Sequence, residues 1–321
     1  MGLYSATQKL LRFGFWFFYH KVHIHNLSIV PINGPVLLVS NHPNSFMDAL
    51  VIGAFLPRPT HFLARGDAFK NSILAKVFKA YFMLPVYRAS EGKENIEKNF
   101  ETFDASYLAV NDDGMVLIFV EGLCKNNWEL RPLKKGAARI AHRAWTSSDK
   151  AKELVIVPVG LTYEHFNGGG KSLIVNYGMP ITSNQLKNSL NHPTFAQQLN
   201  QRIKDQLEQL AYINEELEIN KSNYTQFAHT WINAELKGEN VLPRLKQIKF
   251  DSRLSNFKII KRWVTPLHYG LIAFPHYWAM QIVTSKLTKG SVFYDSILFG
   301  LTLFLFPFYW MVFLLLVLYF I

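Results

Sequence analysis

The sequence predicts an α/β domain with a mostly parallel central sheet and surrounding helices. Short apolar runs typical of buried strands alternate with segments of helical periodicity along residues 22–177. A parallel pair of strands needs a long crossover connection, so this alternation favours a parallel sheet. Strands are predicted at 22–25, 36–39, 61–64, 81–86, 115–120, 154–159 and 171–177, and helices at 49–56, 72–80, 91–110 and 135–145.

The composition indicates a membrane partner. Hydrophobic residues make up 49% of the chain and include 26 Phe, which is more than a soluble enzyme needs. The 34 Lys and Arg residues outnumber the 23 Asp and Glu, and this basic excess suits an anionic membrane surface or an anionic substrate. No nucleic-acid-binding motif occurs, so we expect no nucleic-acid partner. The single cysteine, Cys124, excludes an intrachain disulfide and a cysteine cluster for a metal.

The chain divides into four predicted segments. Residues 1–21 form an amphipathic helix that is too short to span a bilayer and that we expect to dock on the membrane surface, with packing on the protein core as the alternative. Residues 22–183 form the α/β domain. Residues 184–260 form a polar helical segment with an apolar stripe at helical spacing, and Pro243 is expected to break it. Residues 261–321 are predicted to be a transmembrane helical hairpin.

The hairpin prediction rests on two apolar segments. Residues 297–321 carry no charged side chain and are long enough to span a bilayer. Residues 263–285 are interrupted by proline and histidine and form the weaker span, either kinked or re-entrant. Lys258, Lys261 and Arg262 precede this segment, so the positive-inside rule favours an α/β domain that faces the cytoplasm, and we expect the protein in the inner, cytoplasmic membrane.

A histidine and an acid flank the end of the second predicted strand. His42 follows the apolar run 36–39, and Asp48 lies six residues further on. Strand exits are where α/β proteins place chemistry, and a histidine held by a carboxylate is the minimal general base. The alternative is a capping box, in which Ser45 is the N-cap of the next helix and Asp48 its third residue.

Charged residues also follow other predicted strands. Arg88 follows the strand 81–86, Glu121 follows 115–120, and Lys125 and Lys134 lie just beyond. Cations at strand exits favour binding of an anionic substrate, and solvated surface charges are the alternative. Glu121 either binds a substrate hydroxyl, orients a lysine or arginine, or is a purely structural acid.

Four motifs in this order resemble those of the glycerolipid acyltransferases, the family of lysophosphatidate and glycerol-3-phosphate acyltransferases. The resemblance covers residues 20–180. The matching segments are Asn41-His42 with Asp48, Leu84-Pro85-Val86-Tyr87-Arg88, Phe119-Val120-Glu121-Gly122 with Leu130-Arg131-Pro132 and Lys135-Gly136, and Val157-Pro158-Val159.

The resemblance implies transfer of a fatty acyl group from acyl-CoA or acyl-carrier protein to a hydroxyl of lysophosphatidic acid or glycerol-3-phosphate, with no metal or other cofactor. His42 is then the general base, Asp48 orients it, and backbone N–H groups of the loop after Asn41 are candidate oxyanion donors. The predicted substrate-binding residues are Asn41, Ser45, Arg88, Glu121, Gly122, Lys125 and Lys134. Membrane lipids are the expected partners.

Two departures from the family pattern concern the first and third motifs. The spacing here is His-x5-Asp instead of the common His-x4-Asp, and a subset of the family, including some fungal glycerol-3-phosphate acyltransferases, resembles this longer form. Cys124 occupies the place where many members carry an arginine that helps to hold the acceptor's phosphate. Other lysophospholipids and amino-acid lysolipids are therefore kept as alternative acceptors. A thioesterase or lipase with Cys124 as nucleophile, and a catalytically dead membrane scaffold, are the alternatives.

Overall fold

One mixed sheet forms the centre of the protein. The computed structural model describes residues 2–87, 94–214, 221–250 and 266–320. Within them the strands are β1 (Lys21–His25), β2 (Val36–Ser40), β3 (Thr60–Arg65), β4 (Met83–Val86), β5 (Met115–Phe119), β6 (Val155–Tyr163) and β7 (Ser172–Tyr177). They form a sheet of seven strands in the order β1-β7-β6-β2-β5-β3-β4.

Strand directions confirm the mostly parallel sheet. Every neighbouring pair is parallel except β6 and β7, which are antiparallel because the turn between them is too short for a crossover helix. The central strand β2 pairs with β5 and with β6, with Ser40 opposite Phe119 on one side and opposite Val159 on the other. The exits of β2, β5 and β6 therefore meet at one edge of the sheet.

The helices flank the sheet close to their predicted positions. They are α1 (Gly2–Phe18), α2 (Phe46–Phe55), α3 (Ser72–Ala80), α4 (Glu94–Asn111), α5 (Gly136–Thr146), α6 (Phe195–Leu210), α7 (Lys221–Leu236), α8 (Val241–Lys246), α9 (Pro266–Thr288) and α10 (Tyr294–Phe320). The predicted start of α4, at residue 91, lies outside the described residues. The predicted helical segment is interrupted between α7 and α8, and Pro243 lies in the first turn of α8, where its missing N–H has no helical partner.

The hydrophobic core lies on both faces of the sheet. Along β2, Val36 and Leu38 join one cluster, and Leu37 and Val39 join the other, because successive side chains of a strand point to opposite faces. Burial on both faces explains why this strand reads as an unbroken apolar run. The apolar stripe of α6 packs in the second cluster through Phe195, Leu199, Ile203 and Leu207.

The N-terminal helix α1 has two apolar faces. Phe15 and Phe18 are buried against Phe299 of α10, so part of α1 packs on the protein. Phe13 and Trp16 remain more than half exposed on another face. Core packing, the alternative to membrane docking, therefore describes one face of α1, while the face with Phe13 and Trp16 stays largely exposed.

One helix in the described part of the chain is long and apolar enough to cross a membrane. It is α10, over Tyr294–Tyr319, with a mean hydropathy of 2.4, and only 6% of its most apolar stretch is buried. The weaker predicted span is helical from Pro266, packs against α10 and does not meet the same criterion. The residues before Pro266, including Trp263 and the basic residues Lys258, Lys261 and Arg262, lie outside the described residues.

Candidate active site

The loop between β2 and α2 carries the predicted catalytic residues, and Asn41 fixes its start. The Asn41 side chain accepts a hydrogen bond from Leu161 N at 2.8 Å and donates one to Leu161 O at 3.0 Å. Asn41 is buried, and both of these hydrogen bonds join its side-chain amide to the backbone of β6. It therefore holds the loop against the sheet instead of facing a substrate.

His42 and Asp48 form the predicted pair. His42 Nδ1 lies 2.9 Å from Asp48 Oδ2, and the Asp48 side chain is fully buried while that of His42 is 19% exposed. The imidazole stacks on the ring of Phe119, with centroids 3.9 Å apart and planes 10° apart. A neutral His42 that donates from Nδ1 to the carboxylate carries its lone pair on Nε2, which no described residue engages.

Two further donors hold Asp48 in place. The hydroxyl of Tyr163 donates to Oδ1 at 2.8 Å, and the backbone N–H of Asn44 donates to Oδ2 at 2.8 Å. Burial and the charge of Asp48 raise the pKa of Tyr163, so it stays a protonated donor. With His42, these contacts satisfy both carboxylate oxygens and fix the direction in which Asp48 points.

The capping-box interpretation of Ser45 and Asp48 is wrong. Ser45 precedes α2, but its side chain makes no capping hydrogen bond, and the carboxylate of Asp48 serves His42 and Tyr163. Ser45 has φ 51° and ψ −135°, a backbone conformation that residues other than glycine rarely adopt. This conformation aims its N–H at the sulfur of Cys124, 2.9 Å away.

The backbone N–H groups after Asn41, which are the predicted oxyanion donors, already have acceptors within the protein. His42 N donates to Glu121 Oε1 at 2.7 Å, and Asn44 N donates to Asp48. Ser45 N donates to a thiol sulfur, which is a weak acceptor. Of these three N–H groups, that of Ser45 is the one a substrate oxygen can capture most easily.

Glu121 joins the loop that carries His42 to an arginine. Its Oε2 lies 2.7 Å from Arg131 Nη2 and accepts the Arg131 backbone N–H at 3.1 Å, while Oε1 accepts the N–H of His42. Burial raises the pKa of Glu121, and the charge of Arg131 and the two backbone donors offset part of this effect. Of the predicted roles, the orientation of a cation is the one this geometry matches.

The other predicted cations differ in position. The stem of Lys134 passes so close to Gly122 that a Cβ there would lie 2.9 Å from Lys134 Cγ, and Gly122 has φ +71°. Lys134 is exposed, and the exposed Lys125 lies 3.7 Å from the carboxylate of Glu129. Arg88 lies outside the described residues.

Three residues at the site were missed by sequence reasoning. Tyr163 ends β6, and its position at a strand exit was the available signal. Arg131 occurs within the third motif but was not singled out. Asp295 accepts a 2.7 Å hydrogen bond from the Asn44 side chain, and a buried acid in the first turn of an apolar helix is itself a signal of function.

Comparison with known proteins finds acyltransferases among the similar sequences and structures. A family model described as Acyltransferase matches residues 21–162. Glycerol-3-phosphate O-acyltransferase 2 of Saccharomyces cerevisiae is 35% identical over 83 residues, which is 26% of this chain and 11% of the yeast protein. This chain thus spans only a small part of that relative's length.

A solved structure shares the fold. The 1-acyl-sn-glycerophosphate (LPA) acyltransferase PlsC of Thermotoga maritima matches with a TM-score of 0.50 over 68% of this chain and 81% of that structure. The sequences are 13% identical, so this likeness concerns the fold alone. Residues 21–162 therefore match an acyltransferase domain by sequence, and the chain is similar to glycerolipid acyltransferases in part of its sequence and in its fold.

Proposed function

We propose that this protein is a membrane-bound enzyme that moves a fatty acyl group from an acyl thioester to a hydroxyl of lysophosphatidic acid or glycerol-3-phosphate. The donor is acyl-CoA or acyl-carrier protein. The observation that carries the proposal is the 2.9 Å contact between His42 Nδ1 and the buried Asp48 at the exit of β2. This contact leaves Nε2 of His42 as the basic nitrogen.

His42 acts as the general base in this proposal. Its Nε2 takes the proton of the acceptor hydroxyl while that oxygen attacks the thioester carbonyl carbon. The C–S bond breaks as the tetrahedral intermediate collapses, and the imidazolium returns the proton to the leaving thiolate. Asp48 stabilises the imidazolium between the two steps, as in a serine protease triad in which the substrate oxygen replaces serine. Acid–base catalysis of this kind contributes about 10²–10⁴-fold.

We assign the backbone N–H of Ser45 to the carbonyl oxygen that becomes negative in the transition state. Its present acceptor is the Cys124 sulfur, and an oxyanion is a much stronger acceptor than a thiol. Burial and the nearby charge of Asp48 raise the pKa of the Cys124 thiol. A raised pKa disfavours the thiolate, so this environment does not support a hydrolase with Cys124 as nucleophile.

Membrane attachment would bring the enzyme to its lipid acceptor. The exposed apolar surface of α10 includes Phe308, Met311 and Leu315, and α1 exposes Phe13 and Trp16. Large exposed apolar surfaces of this kind suit a lipid environment. We propose that α10 crosses the inner membrane and that the acyltransferase domain faces the cytoplasm. Protease accessibility of the domain in right-side-out and inverted vesicles tests this orientation.

An acceptor screen tests the reaction. Purified protein in mixed micelles is given radiolabelled acyl-CoA or acyl-carrier protein with glycerol-3-phosphate, lysophosphatidic acid, other lysophospholipids or amino-acid lysolipids. His42→Ala is the inactive variant, and His192→Ala, at an exposed histidine on the loop before α6, is the matched control. We expect label in the ester of a phosphate-bearing acceptor, lost only in H42A.

Other products would assign another function. Label only in a lysolipid without a phosphate monoester would change the acceptor class. Label only in free fatty acid would favour a hydrolase. Full activity of H42A would contradict the role of His42.

A further inference from the structure

Arg131 carries two nitrogen atoms that are buried without a hydrogen-bond partner. Its side chain is 13% exposed, and Nη2 is engaged by Glu121 Oε2 at 2.7 Å and by the carbonyl of Leu123 at 3.1 Å. Nε and Nη1 have no acceptor in the described part of the chain. Buried charged donors without acceptors are rare in folded proteins, because their desolvation is not compensated.

The fold holds this guanidinium in place from both ends. The backbone N–H of Arg131 donates to Glu121 Oε2, the same oxygen that pairs with the side chain. The other oxygen of Glu121 accepts the backbone N–H of His42 at 2.7 Å. One carboxylate therefore separates the guanidinium from the proposed general base, and the unpaired donors belong to a fixed group.

The surroundings of Arg131 favour an anion. Lys134 crosses the Glu121-Gly122 turn on its exposed side, and among the described residues its amine has no acidic partner. Glu121 compensates only one of these two cations. Cys124, the residue of this turn that approaches the catalytic loop, brings no charge of its own, because burial keeps its thiol protonated.

We propose that Arg131 is the ligand of a substrate phosphate, which accepts hydrogen bonds from Nε and Nη1, while Lys134 adds charge from the exposed side. Arginine suits this role because its planar guanidinium presents several fixed donors to phosphate oxygens. The inference rests on the proposed function and names the head-group contact within it. Two substrates can supply the phosphate: the acceptor, which is glycerol-3-phosphate or lysophosphatidic acid, and the acyl donor. We favour the acceptor, because the proposed reaction places its hydroxyl at the base His42.

Steady-state kinetics of Arg131→Gln and Arg131→Lys separate these sources. We expect R131Q to raise the KM for glycerol-3-phosphate or lysophosphatidic acid at least about tenfold, equivalent to about 1.4 kcal/mol of binding, with the KM for the acyl donor unchanged. R131K keeps the charge but not the planar set of donors, so its KM for the acceptor should lie between those of R131Q and the wild type. Arg143→Gln, at an exposed arginine that pairs with Asp104, is the matched control and should leave both constants unchanged.

A rise in KM confined to the acyl donor would keep Arg131 as a phosphate ligand and move the phosphate to the donor. A fall in kcat with both KM values unchanged, in R131Q and R131K alike, would overturn the proposal and leave Arg131 as a support for Glu121.

A binding measurement keeps the proposal testable if the chain lacks the proposed activity. Glycerol-3-phosphate that binds only the folded protein raises its thermal midpoint. We expect such a shift in the wild type and in R143Q, a smaller one in R131K and none in R131Q. Absence of any shift with glycerol-3-phosphate, lysophosphatidic acid and CoA in the wild type would overturn the phosphate site even if acyl transfer is observed. A shift without acyl transfer would support the site and contradict the proposed reaction.

Discussion

Asn44 donates a 2.7 Å hydrogen bond from Nδ2 to Oδ2 of Asp295, and this bond ties the loop that carries His42 to the first turn of α10. Asp295 is buried and also accepts hydrogen bonds from Gly168 N, at 2.7 Å, and from Lys171 Nζ. The helix that is apolar enough to cross a membrane therefore contacts the loop of His42 through one carboxylate.

Asp295 is also connected to Asp48 through Lys171 and Tyr163. Lys171 Nζ lies 5.5 Å from the centre of the Tyr163 ring, and the Tyr163 hydroxyl donates to Asp48. The backbone N–H of Asn44 donates to the other oxygen of Asp48. Asp295 therefore contacts two neighbours of Asp48, Asn44 and Lys171, and we expect it to act as a positioning residue.

Asp295→Asn removes the charge that compensates the buried Lys171. Breaking a buried ion pair by removal of one partner costs about 3–5 kcal/mol, so we expect D295N to lower the free energy of unfolding by about that amount in chemical denaturation. The double variant K171M/D295L replaces the pair with apolar side chains, a change that is often neutral for stability. We expect this variant to fold but to lose at least about tenfold in kcat, because Asn44 loses its acceptor and the loop shifts.

A surface ion pair provides the control for that comparison. Lys204 and Glu208 lie 3.6 Å apart on the exposed side of α6, and exposed pairs contribute about 0–1 kcal/mol. K204Q/E208Q should therefore change neither stability nor kcat by much. Wild-type kcat in a stable K171M/D295L protein would mean that the network supports folding alone.

Tyr163→Phe removes one hydroxyl from the site without a change in shape. The lost hydrogen bond goes to a charged carboxylate, and such bonds contribute about 1.5–3 kcal/mol. We expect kcat to fall about tenfold or more with KM unchanged, since Asp48 no longer holds the imidazole in a single orientation. Initial rates at saturating and limiting acceptor separate the two constants.

Tyr177→Phe is the matched control for Tyr163. The hydroxyl of Tyr177 is buried without a partner in the described part of the chain, so its removal relieves an unsatisfied group. Y177F should keep full activity and match or exceed the wild type in thermal stability. Equal losses of activity in both variants would point to a general packing effect.

Local pattern was enough to predict the sheet and two of its exits. The strands β2 and β5 are buried on both faces. A strand of this kind is apolar at nearly every position, so its sequence alone is enough to predict it. Since parallel strands end at the same edge, the exits after Ser40 and Phe119 had to bring His42 and Glu121 together. The contact between His42 N and Glu121 follows from this register.

Distant partners could not be predicted in the same way. Tyr163 meets Asp48 across 115 residues, and Asp295 meets Asn44 across 251, so these contacts depend on strand order and helix packing, which periodicity does not encode. The capping-box prediction failed for a related reason. Spacing favoured Ser45 as a helix cap, but the Ser45 side chain makes no capping hydrogen bond, and Asp48 contacts His42 and Tyr163 instead.

Two variants of Cys124 test both the nucleophile hypothesis and the role of the Ser45 N–H. Cys124→Ala should keep kcat within a few-fold of the wild type, because a buried thiol with a raised pKa supplies no thiolate. Cys124→Ser should be the less active of the two, since a hydroxyl oxygen binds the Ser45 N–H more strongly than sulfur and competes with the substrate oxygen. Loss of activity in both variants, with a covalent acyl-enzyme trapped in the wild type, would favour Cys124 as nucleophile.

His165 makes the stability of the protein depend on pH. Burial, together with the charge of Lys171, lowers its pKa to about 4. The unfolded chain takes up a proton at this histidine near its ordinary pKa of about 6.5, whereas the folded chain does so only near 4. Stability is therefore lost as pH falls through this window, by at most about 3 kcal/mol from this group.

His165→Gln should remove that part of the loss, measured as the difference in urea midpoint between neutral pH and about pH 5. His192→Gln, at an exposed histidine, should respond to pH as the wild type does, and an identical response of H165Q would contradict the assignment.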